Sequence, residues 1–337
     1  MQLKDQTAGL CENLVLIRFR VTRKAIVFQL WAYNKTILIE SWYHMTRTNA
    51  GIFMLKEMKD KLPPSERKIA EFILNQPEKA ISMTAAELGK ATTTSSAAVI
   101  RMCKSLNIKG IQELKLRIAG DLQRNTKEVD LRDIEPNESC ISTIEKMTSH
   151  SIQTIQETAD LLDTGELARA VEVLLSSEKI HFFGVGASSI TALDAQQKFL
   201  RINKAASSFT DLHMGATAVA NATEKDVVMG ISFSGETYEV AKILQLAKDR
   251  GATTISLTKY GSSIVTEYAD IRLYTSTSKE ATFRSGATSS RLAQLHALDI
   301  LFMCVASQAY DEAVTYLDST RDAISSLHDD SVKKKKK

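Results

Sequence analysis

From Leu55 onward the apolar positions recur at helical spacing, and beyond residue 179 they gather into short runs separated by helical stretches. Leu62-Pro63-Pro64-Ser65-Glu66-Arg67 reads as a helix start, with proline in the first turn and Glu66 near the positive end of the dipole. Ile69, Phe72 and Ile73 form the apolar face of that helix, and Pro77 stops it. Thr84 is placed to cap a short second helix over 85–90, with Leu88 turned inward. A polar turn, Ala91-Thr92-Thr93-Thr94, leads to a third helix from Ser95 to about Leu106, where Val99, Met102, Cys103 and Leu106 share one face. A fourth, over 111–122, turns Ile111, Leu114, Ile118 and Leu122 inward.

Residues 123–141 are polar, carry Pro136 and have no period, so they read as a linker. Helical stretches follow at about 142–162 and 166–176. Strands are then expected at 180–185, 207–210, 227–231, 253–257 and 271–274, with helices between them and a long helix over 285–309. Such alternation predicts a doubly wound parallel sheet with helices on both faces and ligands at the carboxyl ends of its strands. Residues 1–53 read differently. They hold both tryptophans, Trp31 and Trp42, and no sustained period; 25–28 and 36–39 have the composition of short strands. They are read as an extension, with Met45 and Met54 as alternative starts. The division expected is 1–53 extension, 54–124 helical domain, 125–141 linker, 142–330 α/β domain and 331–337 basic tail.

Charge sharpens this division. Residues 1–53 hold 7 Lys/Arg against 3 Asp/Glu, 54–124 hold 13 against 8, and 125–332 hold 18 against 29. A basic front on an acidic body suits a front that meets a polyanion. Helix, short helix, tight turn, helix is the helix-turn-helix order, in which the last helix enters the major groove by its N-terminal end. The buried stripe of the third helix leaves Ser96, Ala97, Ile100, Arg101 and Lys104 outside, and Thr92 to Ser95 project from its leading edge. Thr93, Thr94, Ser95, Ser96, Arg101 and Lys104 are therefore the candidate DNA contacts. The same periodicity also fits a four-helix module with a merely solvated polar face. The cysteines, Cys11, Cys103, Cys140 and Cys304, have no paired spacing, which argues against a zinc site or a disulfide framework and for a reducing, cytoplasmic setting. No apolar run reaches the roughly 18 residues of a membrane span.

The candidate chemistry lies in Ser232-Phe233-Ser234-Gly235-Glu236-Thr237. An apolar run, 227–231, precedes it. A helical face of Val240, Ile243, Leu244 and Ala247 follows. Free N–H groups and the helix dipole converge at such a turn and suit a phosphate, with Ser232, Ser234 and Thr237 adding hydroxyl donors and Gly235 admitting close approach. A serine-rich cap that binds nothing would read the same locally. No lysine follows the glycine, so it is not a nucleotide P-loop. A second small-residue turn, Gly184 to Ser189, has only G-x-G and is a weak dinucleotide signal; Gly186, Ser188 and Ser189 are candidates for sugar hydroxyls.

Taken with the order of these parts, the motifs Leu62 to Lys68, Ala97 to Leu106, Lys109 to Lys115, Gly184 to Ser188, Ile231 to Thr237 and Arg284 to Leu295 resemble the RpiR/MurR-type bacterial transcriptional regulators. In that family a helix-turn-helix is joined to a SIS (sugar isomerase) domain. The resemblance spans about 54–325 and is closest to the branch linked to N-acetylmuramic acid 6-phosphate. It implies an N-terminal all-α helix-turn-helix domain joined to a SIS-type doubly wound parallel α/β sandwich. It also implies operator DNA and a sugar-phosphate effector as partners, a homodimer or homotetramer, and neither cofactor, metal nor catalysis. It points to Glu280 as a sugar contact, which on its own reads as a capping or surface carboxylate. Residues 1–53 have no counterpart in the family. His213 and His296 lie in helical patterns and read as structural. SIS domains also serve isomerases and an etherase, but no acid–base pair is evident, and a free-standing enzyme has no use for residues 54–124.

Overall fold

Two layers of local rule build this molecule: capped amphipathic helices first, then buried strands that alternate with helices. The structure is a computed structural model and describes residues 50–123, 137–276 and 287–333. The stretches 25–28 and 36–39, most of the linker, Glu280 and the last four lysines lie outside the described residues.

The head comprises α1 (Gly51–Met58), α2 (Pro64–Asn75), α3 (Pro77–Ser82), α4 (Ala85–Ala91), α5 (Ser96–Ser105) and α6 (Ile111–Gln123). Thr84 and Glu87 form a reciprocal capping box at the start of α4, and Ser95 caps α5 through the Ala98 N–H. Leu55, Ile69, Ile73, Leu88, Val99, Met102, Leu106, Leu114 and Ile118 make the head's core.

Two readings change here. Pro77 ends α2 but also opens α3 from its first position, where its missing N–H costs nothing. The first helix of the head, α1, begins at Gly51, ahead of residue 54. The Ala50 and Ile52 N–H groups donate to the Asp121 carboxylate at 2.7 and 2.8 Å, so a residue on α6 caps α1.

Beyond the linker come α7 (Cys140–Leu161) and α8 (Thr164–Ser176), then β1 (Lys179–Gly184), α9 (Ala187–Arg201), β2 (Ala205–Phe209) and α10 (Leu212–Val219). They are followed by β3 (Asp226–Ile231), α11 (Tyr238–Asp249), β4 (Thr253–Lys259), α12 (Ile264–Glu267), β5 (Ile271–Thr275), α13 (Thr288–Gln308) and α14 (Tyr310–Lys333). The sheet runs β2-β1-β3-β4-β5 and every pairing is parallel. Side chains alternate between its faces. Ile180, Phe182, Val227, Met229, Ile255 and Leu257 pack with residues of α8, α9 and α13, whereas Phe183 and Val228 pack with residues of α11. From β1 the chain crosses to β2 on one side and then returns to β3 on the other. The order therefore reverses between β1 and β3, where a doubly wound sheet opens a crevice at its carboxyl ends.

The α14 helix was not evident from the sequence. The long helix does not close the chain: α13 ends at Gln308, and α14 leaves it at 110° and runs into the stretch read as tail. Among the described residues no single helix is long and apolar enough to cross a membrane.

Candidate functional site

Side-chain caps are unevenly spread over the helix starts, and the N-cap residues of α1, α2, α3 and α13 form no cap bond. The α4, α5, α7, α8, α10 and α12 helices each begin under a side-chain cap: Thr84, Ser95, Ser139, Asp163, Asp211 and Ser263. The two helices that follow β1 and β3, at the crevice, do not. The α9 helix begins behind Gly186 (φ +59°) and α11 behind Thr237, neither with a side-chain cap bond. Thr237 is a good capping residue, yet its hydroxyl turns to Ser232 Oγ at 2.7 Å. The positive end of α11 is thus left open beside the open end of α9.

Hydroxyl protons can be counted at this turn. Ser232 is buried, at 2% exposure, and its oxygen accepts from the Gly235 N–H at 3.2 Å. Between them Ser232 and Thr237 carry two hydroxyl protons, of which their mutual bond uses one and leaves one to donate. Ser234 is exposed, and its oxygen accepts from the Glu236 N–H at 3.1 Å, which leaves its own proton available. The turn thus offers hydroxyl and amide donors together, an arrangement suited to an anion.

Gly235 is needed for a reason different from close ligand approach alone. Its φ is +74°, and a Cβ there would lie 2.4 Å from Ser263 Oγ and 2.6 Å from Ser263 Cβ. The loop after β4 occupies that space.

On the neighbouring turn, Ser188 is buried and accepts from Gln294 Nε2 at 3.0 Å, leaving its own proton to donate. The Ser189 hydroxyl donates to the Gly186 carbonyl at 2.7 Å, so its proton is used within the turn and only its lone pairs face outward chemistry. Gln294, fully buried on α13, also accepts from Thr191 at 3.3 Å and ties the first turn to the last core helix. It was passed over in the sequence although it lies within the run from Arg284 to Leu295; a buried amide is the one signal there that could have marked it. His213 is exposed at the start of α10. Among the described residues no group of three or more His, Cys, Asp or Glu could hold a metal.

In the head, Thr93, Ser95, Ser96, Arg101 and Lys104 are exposed and Thr94 is half-buried, all along the leading edge and outer face of α5. Thr92 does not project as expected. It is buried, and its hydroxyl donates to the Leu88 carbonyl at 2.8 Å, which closes the turn. Arg101 is 57% exposed, and its Nε lies 3.5 Å from the carboxylate of Glu66, which is 5% exposed. Ser105 donates to the other oxygen of Glu66 at 2.9 Å. Glu66 therefore orients Arg101 from below, a role that its position near the start of α2 did not suggest.

Residues 51–125 match the helix-turn-helix domain of the rpiR family, and residues 173–304 match the SIS domain. An uncharacterized HTH-type transcriptional regulator of Bacillus subtilis, YbbH, is 51% identical over 277 residues, which is 82% of this chain and 98% of its own. The chain belongs to the RpiR family of helix-turn-helix transcriptional regulators. HexR of Pseudomonas aeruginosa, another HTH-type regulator, is 35% identical to this RpiR-family chain over 245 residues, 72% of the chain and 84% of HexR. Among solved structures, the Vibrio vulnificus NanR protein complexed with ManNAc-6P is 26% identical, with a TM-score of 0.52 over 82% of this chain and 98% of that one. The RpiR-family membership carries DNA binding with it and sets the chain among regulators, apart from the enzymes that share the SIS fold.

Proposed function

We propose that this RpiR-family regulator reads an operator through α5 and changes its hold on that DNA when a sugar phosphate enters the crevice between β1 and β3. The phosphate sits on Ser232, Ser234, Gly235 and Thr237, over the uncapped start of α11. The sugar extends toward Gly186, Ser188 and Ser189, with Glu280 as a further contact. Thr93, Thr94, Ser95 and Ser96 meet the DNA backbone or base edges at the helix start, and Arg101 and Lys104 supply charge. The effector is an amino-sugar phosphate of the N-acetylmuramic acid 6-phosphate kind, and the protein acts in the cytoplasm as a homodimer or homotetramer.

One observation carries this reading: Thr237 stands in the capping position of α11 but its hydroxyl turns to Ser232, leaving the start of α11 without a side-chain cap. The likeness to NanR, whose structure holds ManNAc-6P, supports the class of effector.

A thermal-shift screen of the full chain against hexose 6-phosphates, amino-sugar 6-phosphates and their unphosphorylated parents tests it. Stabilisation by a phosphorylated sugar and not by its parent is expected. Equal response to parent and phosphate would refute the anion site. A gel shift on DNA from upstream of the gene, repeated as salt is raised, checks the head: affinity should fall linearly on logarithmic axes.

A further inference from the structure

We propose that residues 259–263, the end of β4 and the loop after it, are the mechanical link between the effector turn and the recognition helix α5, and that Tyr260 is the coupling residue. The occupant of the turn is taken from the function proposed above; the link itself rests on the contacts of this chain.

At one end the loop and the turn are a single bonded unit. The Lys259 N–H donates to the Phe233 carbonyl at 2.9 Å, and the Val265 N–H to the Gly235 carbonyl at 3.1 Å. The Ser232 N–H donates to the Leu257 carbonyl at 3.0 Å, and Ser263 fills the space a Gly235 side chain would need. A shift of the turn toward a bound anion must carry Ser263 and Lys259 with it, because packed and bonded backbone has no slack to absorb it.

At the other end the loop enters the head. Tyr260 is 6% exposed and belongs to the hydrophobic core of the helical head. Its ring lies edge-on to Tyr274 with centroids 5.2 Å apart, and its N–H donates to the Thr275 carbonyl at 3.2 Å. Its hydroxyl donates to the carbonyl of Leu106, the C-cap residue that follows α5. That carbonyl stands at the C-terminal end of a helix, where the helix itself supplies no donor. Burial pushes the Tyr260 phenol far above its ordinary range, so it stays a donor throughout physiological pH. Next to it, a Cβ added to Gly261 would stand 3.4 Å from Lys61 Nζ and 3.5 Å from Met58 Sδ, near the end of α1. The helix that presents Thr93 to Lys104 to DNA is thus held at its C-terminal end by the loop that holds the effector turn.

The variant Tyr260→Phe keeps the ring and removes the bond to Leu106. The first test needs no ligand: hydrogen–deuterium exchange of the full chain in wild type, Gly235→Ala, Tyr260→Phe and the double variant. Gly235→Ala displaces Ser263 and should raise exchange at 103–110 in the wild-type background. With Tyr260→Phe already in place it should add little there. An unchanged head in Gly235→Ala, or equal added exchange in both backgrounds, would overturn the link.

The second test uses N-acetylmuramic acid 6-phosphate and ManNAc-6P with the gel shift. Tyr260→Phe should bind the sugar phosphate within about twofold of wild type, while an effector-induced change in operator affinity of about tenfold shrinks to under about twofold. A full effector response in Tyr260→Phe would also overturn it. If neither compound binds wild type, the effector assignment fails, and the exchange experiment still decides the link.

Discussion

Replacing Gly235 by alanine tests the effector turn most directly, because two separate strains fall on one atom. The first is conformational. At φ +74° an L-residue costs about 1–2 kcal/mol relative to glycine. The second is steric. The new Cβ would stand 2.4 Å from Ser263 Oγ, and Ser263 caps α12. Ser263 must turn away, and losing such a cap costs about 1 kcal/mol. Alanine returns about 0.4–1 kcal/mol by restricting the unfolded chain. The net is about 2 kcal/mol.

If the turn keeps its shape, the loss appears as stability, about 4–8 °C in Tm at roughly 2–4 °C per kcal/mol for a domain of this size. If the turn moves, it appears as affinity, about 30-fold for a sugar phosphate. Thermal melts and calorimetric titration of the same samples measure both. Gly251→Ala is the control: φ is +86° with nothing within 4 Å of the added carbon, so stability alone should fall and affinity should stay. A Gly235→Ala protein with native Tm and affinity within about twofold would refute the geometry of the turn and the reasoning built on it.

Ser234→Ala removes an exposed donor without disturbing the buried Ser232–Thr237 pair, so effector affinity should fall by about tenfold, one charged hydrogen bond, with operator binding retained. Arg101→Ala should act in reverse: effector binding is kept, operator affinity drops, and the slope of log affinity against log salt shrinks by about one if Arg101 meets a phosphate. If each variant impaired both activities equally, the division of labour would be wrong. The Cys103 thiol is pushed up to about 11 by burial, with Glu113 adding to it, so it should resist alkylation at pH 8 under conditions that label the exposed Cys140; peptide mass mapping reads both.

Much of this molecule is local in origin. Thr84 with Glu87, and Ser95 three residues before Ala98, set helix starts through bonds spanning three residues, which any reader of the chain can see. Runs such as 226–231, buried at every position, mark a parallel strand because both faces are covered. The head, the alternation of strands and helices, and the turn between β3 and α11 were therefore legible. The errors came where a local signal has two meanings or none. Proline stops one helix and starts the next, as at Pro77. Thr92 looks like its exposed neighbours until the turn folds it under Leu88. The α14 helix carries few apolar residues and announces itself weakly.

The sequence alone thus determined the elements, their order and the residue types gathered at each turn, since capping, periodicity and turn chemistry act within a few residues. Tertiary structure decided which groups remain available. It turned the Thr237 hydroxyl to Ser232, set Gln294 against Ser188 across 106 residues, and carried Tyr260 to Leu106 across 154. A hydrogen bond is directional and needs its partner within about 3 Å. Which distant partner arrives there depends on how the layers pack, and no local pattern encodes that.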